Sequence, residues 1–478
     1  MRSAFFICLL FCMTSHAQYF KHTYGWGPFN TAPSMCQTPD GGFAMLGSFS
    51  STGSGQTDFV VIRTDSSGTF QWAHAYGSWG IESAACILTL PDSGFLLCGY
   101  SNSYSGNLGY DGLVVRLNAT GDTLWQRSIG STDWDFIHDA KLLDDGNYLL
   151  TGSTNSTSNG LSAGWLVVMD PTGNILRQKV LETNANIFLN SSSISATGFV
   201  LSAGSIQSTD SLIHQPIIIK TEFATLDTVL TFQLPDHPEG EFASIVGQSN
   251  GDIVACGYSI TAGRTDQDQL IVSIDSSGIF QWKSGGLTTG EEYFNKVIRS
   301  GDTLYCMGST NSYGGGKLDF QLNIYDPNGV RLEGPTFGDL QDEVGKDVLL
   351  TSNRRILLFG TTTTFGPGLQ SMLLISTDSS FQTGGAFVIG VNEPTNRQEV
   401  NIFPNPTNGP LKVLHSNANY TKKINWKLIS LDGRIVNQGN EWTVELNLDL
   451  STVPNGVYLF FLEENGVQLR RKIVVQHD

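Results

Sequence analysis

The stretch DSGFLLCGYS, residues 92–101, decides the fold, because variants of it recur along most of the chain. In each copy a cluster of Asp, Asn, Ser or Gly, typical of a tight turn, precedes a short apolar run that ends at a glycine. The other copies are DGGFAMLGS (40–48), DGNYLLTGS (145–153), TGFVLSAGS (197–205), NGDIVACGYS (250–259), SGDTLYCMGS (300–309) and SNRRILLFGT (352–361). The seven copies lie about 52 residues apart, and a fixed period of this size indicates a repeat architecture.

Each repeat divides into four short apolar segments separated by turn residues, which is the pattern of four β-strands. In the second repeat the predicted strands are 82–90, 95–100, 112–118 and 122–129. Four-stranded units of roughly 40 to 50 residues, repeated about four to eight times, are typical of a β-propeller. The sequence therefore predicts an all-β chain whose larger part, residues 18–378, is a seven-bladed β-propeller.

The two ends of the repeat array look complementary. The segment QYFKHTYG at 18–25 is similar to FQWAHAYG at 70–77, the last strand of the first full repeat, whereas the seventh repeat stops after its third strand, 371–377. An open array would leave unpaired strand edges that invite aggregation. We therefore expect residues 19–24 to supply the fourth strand of the seventh blade.

The first seventeen residues have the pattern of a secretory signal peptide. A basic residue, Arg2, precedes an apolar stretch of about ten residues, and the small residues Ser15 and Ala17 follow. A membrane-spanning helix needs roughly 20 apolar residues, so an anchor is disfavoured here and no later stretch is long enough to span. We expect export from the cytoplasm with cleavage after Ala17.

Composition excludes one large class of partner. The chain has 27 Lys plus Arg against 44 Asp plus Glu, for a formal net charge of -17. Proteins that bind nucleic acid concentrate Lys and Arg to displace phosphate counterions. Nucleic acid is therefore not an expected partner, and the 53 glycines fit a chain with many tight turns.

Three repeats carry a tryptophan eight positions into the second turn phrase, at 65–72, 118–125 and 275–282. This Asp-x-x-Gly-x-x-x-Trp phrase resembles the tryptophan-docking motif of quinoprotein dehydrogenase propellers. A tryptophan at a fixed repeat position more often packs between blades than recognises a cofactor. No cofactor is predicted, and a quinoprotein enzyme stays an alternative.

The repeat ends before a segment, 379–395, that has the composition of a linker. Four phrases follow in a fixed order: VNIFPNPTNG (400–409), LISLDGRIV (428–436), LDLSTVPNGVYLF (448–460) and RKIVVQ (471–476). In order and spacing they resemble the type A C-terminal sorting domain of proteins exported by the type IX (Por) secretion system of Gram-negative bacteria. Apolar residues also alternate with polar ones in 424–428 and 444–448, which predicts strands with one buried face.

The resemblance implies that residues 396–478 form a small Ig-like β-sandwich that the outer-membrane translocon reads as an address, leaving the protein at the cell surface or released outside. The alternative is an Ig-like stalk. The chain ends on His477-Asp478 rather than the usual basic finish, so its processing stays open. The residues assigned to the sorting signal are Phe403, Pro404, Asn405, Pro406, Gly409, Leu431, Asp432, Gly433, Pro454, Gly456, Tyr458 and Lys472.

No catalytic motif is visible in the sequence. The histidines are isolated, with no His-Glu-x-x-His and no Gly-x-Ser-x-Gly, and the glycines at 314–316 lack the context of a phosphate loop. No metal site is predicted, and the enzyme question stays open with a preference for no activity. Of five cysteines beyond the signal peptide, Cys86 and Cys98 lie roughly opposite across one hairpin and are candidates for a disulfide.

An acidic residue recurs about ten positions before the first turn of five repeats. In a propeller whose first strand lines the channel, these carboxylates would form an incomplete ring near one mouth. The ring would suit a cation or polar ligand, although we favour local capping of backbone N–H groups. The residues are Glu82, Asp135, Glu241, Glu291 and Glu343.

Three functions fit these observations. The favoured one is a non-enzymatic exported propeller that binds an extracellular glycan, protein or matrix through its long loops, such as 50–57, 101–110 and 154–162. The alternatives are an extracellular hydrolase, lyase or quinoprotein, and a structural component of an adhesin. Propellers host all of these functions, so the fold alone does not choose among them.

Overall fold

The computed structural model describes residues 19–25, 31–50, 56–105, 109–234, 239–286, 288–366, 370–383, 400–403, 407–415, 424–430, 434–441, 445–464 and 467–477. The predicted signal peptide, residues 1–17, and most of the predicted linker lie outside these ranges. The chain divides into two compact units, Met1–Val391 and Asn392–Asp478. Every regular element in the described ranges is a β-strand, and these ranges contain no helix long and apolar enough to cross a membrane.

The described strands of the first unit form seven antiparallel sheets. The first three are β2 (Ser34–Gln37), β3 (Phe43–Phe49), β4 (Asp58–Thr64), β5 (Phe70–Tyr76); β6 (Glu82–Thr89), β7 (Phe95–Ser101), β8 (Asp111–Leu117), β9 (Thr123–Ile129); and β10 (Asp135–Leu142), β11 (Tyr148–Thr154), β12 (Ala163–Met169), β13 (Ile175–Leu181). The next three are β14 (Ala185–Ile194), β15 (Phe199–Ser208), β16 (His214–Glu222), β17 (Thr228–Gln233); β18 (Glu239–Gly247), β19 (Ile253–Ile260), β20 (Asp268–Ile274), β21 (Phe280–Ser284); and β22 (Glu292–Ser300), β23 (Thr303–Thr310), β24 (Asp319–Tyr325), β25 (Arg331–Glu333), with β26 (Thr336–Phe337) also on β24.

The seventh sheet is built from both ends of the repeat array. It consists of β27 (Glu343–Leu350), β28 (Ile356–Thr362) and β29 (Ser371–Thr377), completed by β1 (Phe20–Tyr24) on the outer edge. Strand β1 runs antiparallel to β29, from Phe20 opposite Ser376 to Tyr24 opposite Met372. The Tyr24 hydroxyl also donates to the Gly68 carbonyl at 2.6 Å, which ties this strand to the first sheet.

Successive sheets pack face to face in a closed circuit. The first strand of each sheet contacts the first strand of the next, and β27 contacts β2, so the last sheet meets the first. Each apolar cluster draws on two neighbouring sheets; one, for example, joins Phe359 and Met372 of the seventh sheet to Phe43 and Met45 of the first. The all-β, propeller-type fold that the repeats predict is confirmed by this arrangement.

The glycine of the recurring stretch has a steric cause. Gly99 lies opposite Ala84, just before a β-bulge in β6, and a Cβ on Gly99 would lie 2.1 Å from the Ser83 carbonyl oxygen. A Cβ on Gly152 would likewise lie 1.8 Å from the Phe136 carbonyl oxygen. No other residue fits where two backbones approach this closely, so the repeat keeps glycine at this place.

The repeated tryptophans bind the turn of the next sheet. The Trp125 indole N–H donates to the Pro171 carbonyl at 3.0 Å, and that of Trp282 donates to the Pro327 carbonyl at 3.1 Å. Both acceptors belong to the second turn of the following repeat. These contacts support the packing interpretation of the motif.

The cysteines of the described ranges are buried free thiols. Cys86 and Cys98 do lie directly opposite each other in the β6–β7 ladder, but the structure contains no bond between them. Burial, and then the neighbouring Cys86, raise the pKa of the Cys98 thiol well above its usual value. The disulfide considered from the sequence is therefore not formed in this structure.

The second unit consists of two small antiparallel sheets. They are β30 (Val400–Phe403), β31 (Pro410–His415), β34 (Glu445–Asp449), and β33 (Ile435–Glu441), β32 (Ile424–Ser430), β35 (Gly456–Glu464), β36 (Val467–Val475). Val413 and Leu446 from the first sheet share one apolar core with Trp426, Leu428 and Phe460 from the second. The shared core gives the unit the β-sandwich architecture that its alternating pattern predicts.

Closure through β1 yields a prediction about stability. Tyr24 is almost fully buried against the first and seventh sheets, so Tyr24→Ala should lower the free energy of unfolding by about 3–5 kcal/mol. Val229, half exposed on the outer strand β17, provides the control, and Val229→Ala should change it by about 0.5 kcal/mol or less. Chemical denaturation of the two variants tests this; equal losses would show that β1 does not close the ring.

Candidate functional site

Three of the predicted acidic residues hold the loops at one edge of the sheets. Glu82, Asp135 and Glu343 each open the first strand of a sheet and are buried. Their carboxylates accept the N–H of the residue four positions earlier, at 2.9, 2.7 and 2.9 Å respectively. Each also accepts a hydroxyl from the second strand of its own sheet, as Glu82 does from Ser101 at 2.7 Å. These contacts support local capping.

The other two predicted residues are out of register with this set. Glu343 lies two residues before the bulge-flanking Gly345, opposite Thr362, and the matching residue of the sixth sheet is Glu292, opposite Thr310, rather than Glu291. Glu241 lies opposite Tyr258, one residue nearer the bulge. Because side chains alternate between the faces of a strand, a shift of one residue directs Glu241 to the opposite face, and Glu291 lies just before β22 begins.

A second row of carboxylates, which the sequence reasoning missed, lies at the same edge. Asp58, Asp111, Asp268 and Asp319 open the third strands β4, β8, β20 and β24. First and third strands of an antiparallel sheet run in the same direction, so both begin at one edge. Each aspartate precedes the acidic residue of the next sheet by 24 positions, as in 58 and 82 or 319 and 343. The recurring strand openings DFVVI, DGLVV, DQLIV and DFQLN were the available signal.

Glycines keep the two carboxylates of a junction facing one space. A Cβ on Gly77 would lie 2.1 Å from Asp58 Oδ1 and 2.3 Å from Glu82 Oε2. A Cβ on Gly130 would lie 2.7 Å from Asp111 Oδ1 and 2.6 Å from Asp135 Oδ2. Gly338 stands in the same relation to Asp319 and Glu343. Any larger residue would fill the space between the two acids.

These paired acids perturb each other. Burial, the charge of Glu82 and a hydrogen bond shared with the Glu82 side chain raise the pKa of Asp58 to about 7. Burial likewise raises the pKa of Asp111, with Asp135 contributing, and that of Asp319, with Glu343 contributing, although hydrogen-bond donors oppose both shifts. One oxygen of each of these aspartates accepts no hydrogen bond in the described part of the chain. Each of these three junctions therefore brings two carboxyl groups together with no positively charged side chain paired to them among the described residues.

By comparison, the buried carboxylates of the first strands, away from this edge, have hydrogen-bond donors and a lysine nearby. Asp139 Oδ2 accepts the Ser191 hydroxyl at 2.8 Å, and Asp347 Oδ2 accepts the Met35 N–H at 2.9 Å. Burial lowers the pKa of Lys296, but Asp347 and Asp139 outweigh it, so the pKa lies above its usual value. Across the described ranges, no three His, Cys, Asp or Glu side chains converge as a metal-binding group.

Partly exposed aromatic rings cluster at the same edge as the acidic pairs. The Tyr100 and Tyr110 rings of the second sheet meet edge to face with centroids 5.6 Å apart. Phe136 lies 4.9 Å from Tyr100, and Trp134 lies 5.6 Å from Tyr110. The Trp134 side chain is 48% exposed. We call these four residues the aromatic cluster.

The described residues of the predicted sorting signal have structural roles in the second unit. The Tyr458 hydroxyl donates to the Pro454 carbonyl at 2.7 Å while its ring lies in the sandwich core. The Gly409 carbonyl accepts the Leu450 N–H at 2.7 Å, and Gly456 opens β35. Phe403 and Lys472 lie in strands whose side chains are not described there, and Pro404, Asn405, Pro406, Leu431, Asp432 and Gly433 lie outside the described residues.

Comparison with protein families gives a match over this unit. Residues 401–476 match the model described as the secretion system C-terminal sorting domain. The C-terminal unit is a Por sorting domain. The domain marks the chain as a type IX cargo that is exported across the outer membrane to the cell surface or the extracellular space and that engages the type IX machinery.

Solved structures resemble the chain only at the level of fold. PorZ of Porphyromonas gingivalis, described as an essential bacterial surface component of the type-IX secretion system, is 12% identical with a TM-score of 0.42; the alignment covers 91% of this chain and 58% of PorZ. Sqt1 from Chaetomium thermophilum is 13% identical, with a TM-score of 0.44 over 83% of this chain and 96% of that one. The β-propeller domain of the Trilobed protease from Pyrococcus furiosus is 10% identical, with a TM-score of 0.43 over 74% and 96%. No curated protein matches the sequence.

Proposed function

We propose that the first unit of this exported protein is a non-enzymatic module that binds a neutral glycan through the aromatic cluster. The proposal includes the limits 1–17 for the signal peptide, 18–378 for a ring of seven blades, 379–395 for the linker and 396–478 for the sorting domain. The observation that carries it is the cluster at the loop edge, where Trp134 is 48% exposed and lies against Tyr110 and Phe136, which Tyr100 contacts in turn.

Aromatic rings held in this way suit the apolar faces of sugar rings. The four rings come from two neighbouring sheets and hold one another edge to face, so they lose little side-chain freedom when a ligand binds. Loops that cross the same edge place polar groups beside the rings, such as Ser156, whose hydroxyl accepts the Asp133 N–H at 3.1 Å and donates to Asp135 Oδ2 at 3.0 Å. Stacking groups beside hydrogen-bonding groups are typical of a small-molecule site.

Charge selects among glycans. The chain carries a formal net charge of -17. A large net negative charge disfavours anionic polysaccharides and leaves neutral ones. A glycosidase would need two carboxyl groups about 5 to 10 Å apart that a substrate can reach, whereas Asp58 and Glu82 are buried and face each other.

Export should depend on the second unit alone. Removal of residues 396–478 should leave the protein in the periplasm, because the translocon would no longer find its address. The double variant Trp134→Ala and Tyr110→Ala, which keeps the second unit intact, is the control and should reach the surface in normal amounts. Surface protease shaving and fractionation of cells measure both; a truncated chain on the surface would contradict the sorting assignment.

Glycan binding should depend on the aromatic cluster. On an array of neutral oligosaccharides, followed by calorimetry with the strongest ligand, Trp134→Ala should weaken binding at least about tenfold, equal to about 1.4 kcal/mol. Phe280, 46% exposed on the outer strand β21, provides the matched control, and Phe280→Ala should bind like the unaltered protein.

Two results would contradict the proposal. An array without any ligand, or equal weakening by Trp134→Ala and Phe280→Ala, would remove the aromatic cluster as the site. Release of shortened oligosaccharides in the same samples would instead assign an enzyme.

A further inference from the structure

Three junctions between sheets hold two carboxylates and no counter-charge. They pair Asp58 with Glu82, Asp111 with Asp135 and Asp319 with Glu343. Among the described residues, every salt bridge involves other carboxylates. Two carboxylates in a protein interior without a compensating positive charge are strongly unfavourable.

One oxygen of each aspartate lies against the glycine of its junction without a donor. Asp58 is 2% exposed and Asp319 is 1% exposed, yet Oδ1 of each accepts no hydrogen bond from a donor in the described ranges. Asp111 is 9% exposed, and its Oδ1 likewise accepts no hydrogen bond from the described residues. In every case the free oxygen is the one that faces the glycine, Gly77, Gly130 or Gly338. Buried polar atoms without a partner call for a ligand that the protein itself does not supply.

The fourth junction of this kind shows what fits there. It pairs Asp268 with Glu292, and here the chain places a cation nearby: Arg264, which forms its close ion pair with Asp266, also has its Nη2 4.0 Å from Asp268 Oδ1, while Asp268 Oδ2 has no hydrogen-bond partner among the described residues. The hydrogen bond to Asp266, and then the charges of Asp268, Asp266 and Glu292, raise the pKa of Arg264. The glycine found at positions 77, 130 and 338 is replaced in the sequence by Leu287. Arginine therefore occurs at the junction that lacks the glycine, and the glycine occurs at the junctions that lack arginine.

We propose that the junctions Asp58–Glu82, Asp111–Asp135 and Asp319–Glu343 each bind one calcium ion. All the available donors are oxygens, which calcium prefers, and its coordination of six to eight ligands tolerates an irregular set completed by loop oxygens and water. Magnesium demands a stricter octahedron and is disfavoured. Extracellular calcium modules bind with dissociation constants of about 0.1 to 1 mM, which suits a protein exported from the cell.

Bound calcium would join successive sheets. Asp58 belongs to the first sheet and Glu82 to the second, and the other two pairs likewise connect the second sheet to the third and the sixth to the seventh. Each ion would replace repulsion between neighbouring sheets by attraction to a shared charge. The role is structural. The Asp111–Asp135 junction adjoins Tyr110 and Trp134 of the aromatic cluster, whereas the other two junctions involve none of its residues, so calcium binding there is tested apart from glycan binding.

Calorimetry and thermal denaturation of the full mature chain test the proposal with calcium chloride as the probe, after treatment with a chelator. We expect about three sites of submillimolar affinity and a melting temperature several degrees higher at 5 mM calcium, because a ligand of the native state stabilises it. The variants Asp58→Asn, Asp111→Asn and Asp319→Asn should each remove one site, and the triple variant should show no response. Asp268→Asn, at the arginine junction, is the matched control and should keep all three sites.

The triple variant separates loss of binding from loss of folding. In chelator it should melt at or above the temperature of the unaltered chain, because the substitutions remove repulsion between buried acids. No calcium-dependent heat in the unaltered chain, an equal response in the triple variant, or an equal response to magnesium at 5 mM would each overturn the proposal.

Discussion

The closed circuit of sheets is the constraint on which the rest of the first unit depends. Each apolar cluster lies between two successive sheets, so a sheet without both neighbours would expose one apolar face. The central strands, such as β3 and β4, are buried along their whole length. Burial on both faces explains why their sequences are continuous apolar runs and why so little charge occurs in the chain. Strand β1 completes the last sheet and adds Phe20 and Tyr24 to the cluster that joins the last sheet to the first.

The sequence predicts this architecture because the fold repeats itself. The turn residues recur at a fixed period, and so does the glycine opposite the bulge of the first strand. Each of these residues has a local structural cause that is visible in a single copy. The similarity between 18–25 and 70–77 also indicates the strand that β1 forms. The sorting domain could be predicted for a different reason, since its four phrases follow one another in a recognisable order.

The site was predicted only in part, because its register depends on hairpin geometry. In the sixth sheet the first hairpin has only two residues between Ser300 and Thr303, whereas the second sheet has five between Thr89 and Phe95. Counting back from the turn therefore selects Glu291 instead of Glu292. The aspartates that open the third strands were overlooked because Asp is common in the turns around them. The aromatic cluster joins residues 100 and 134, which belong to different sheets, and no local pattern connects them.

The proposed calcium sites fit the export of the protein from the cell. An exported ring with three calcium-bridged junctions would gain stability outside the cell, where calcium is plentiful, and its loop edge would remain available for a glycan. The second unit supplies the address and has its own core. One chain thus combines a repeat scaffold and an export signal.

Closure by β1 is tested most directly by hydrogen–deuterium exchange of the mature chain. The backbone amides of β1 and β29 that face each other, from Phe20 opposite Ser376 to Tyr24 opposite Met372, should share one slow exchange rate close to that of β28. Fast exchange of β1 with β28 still protected would contradict the account, because the ring would then be stable without its N-terminal strand.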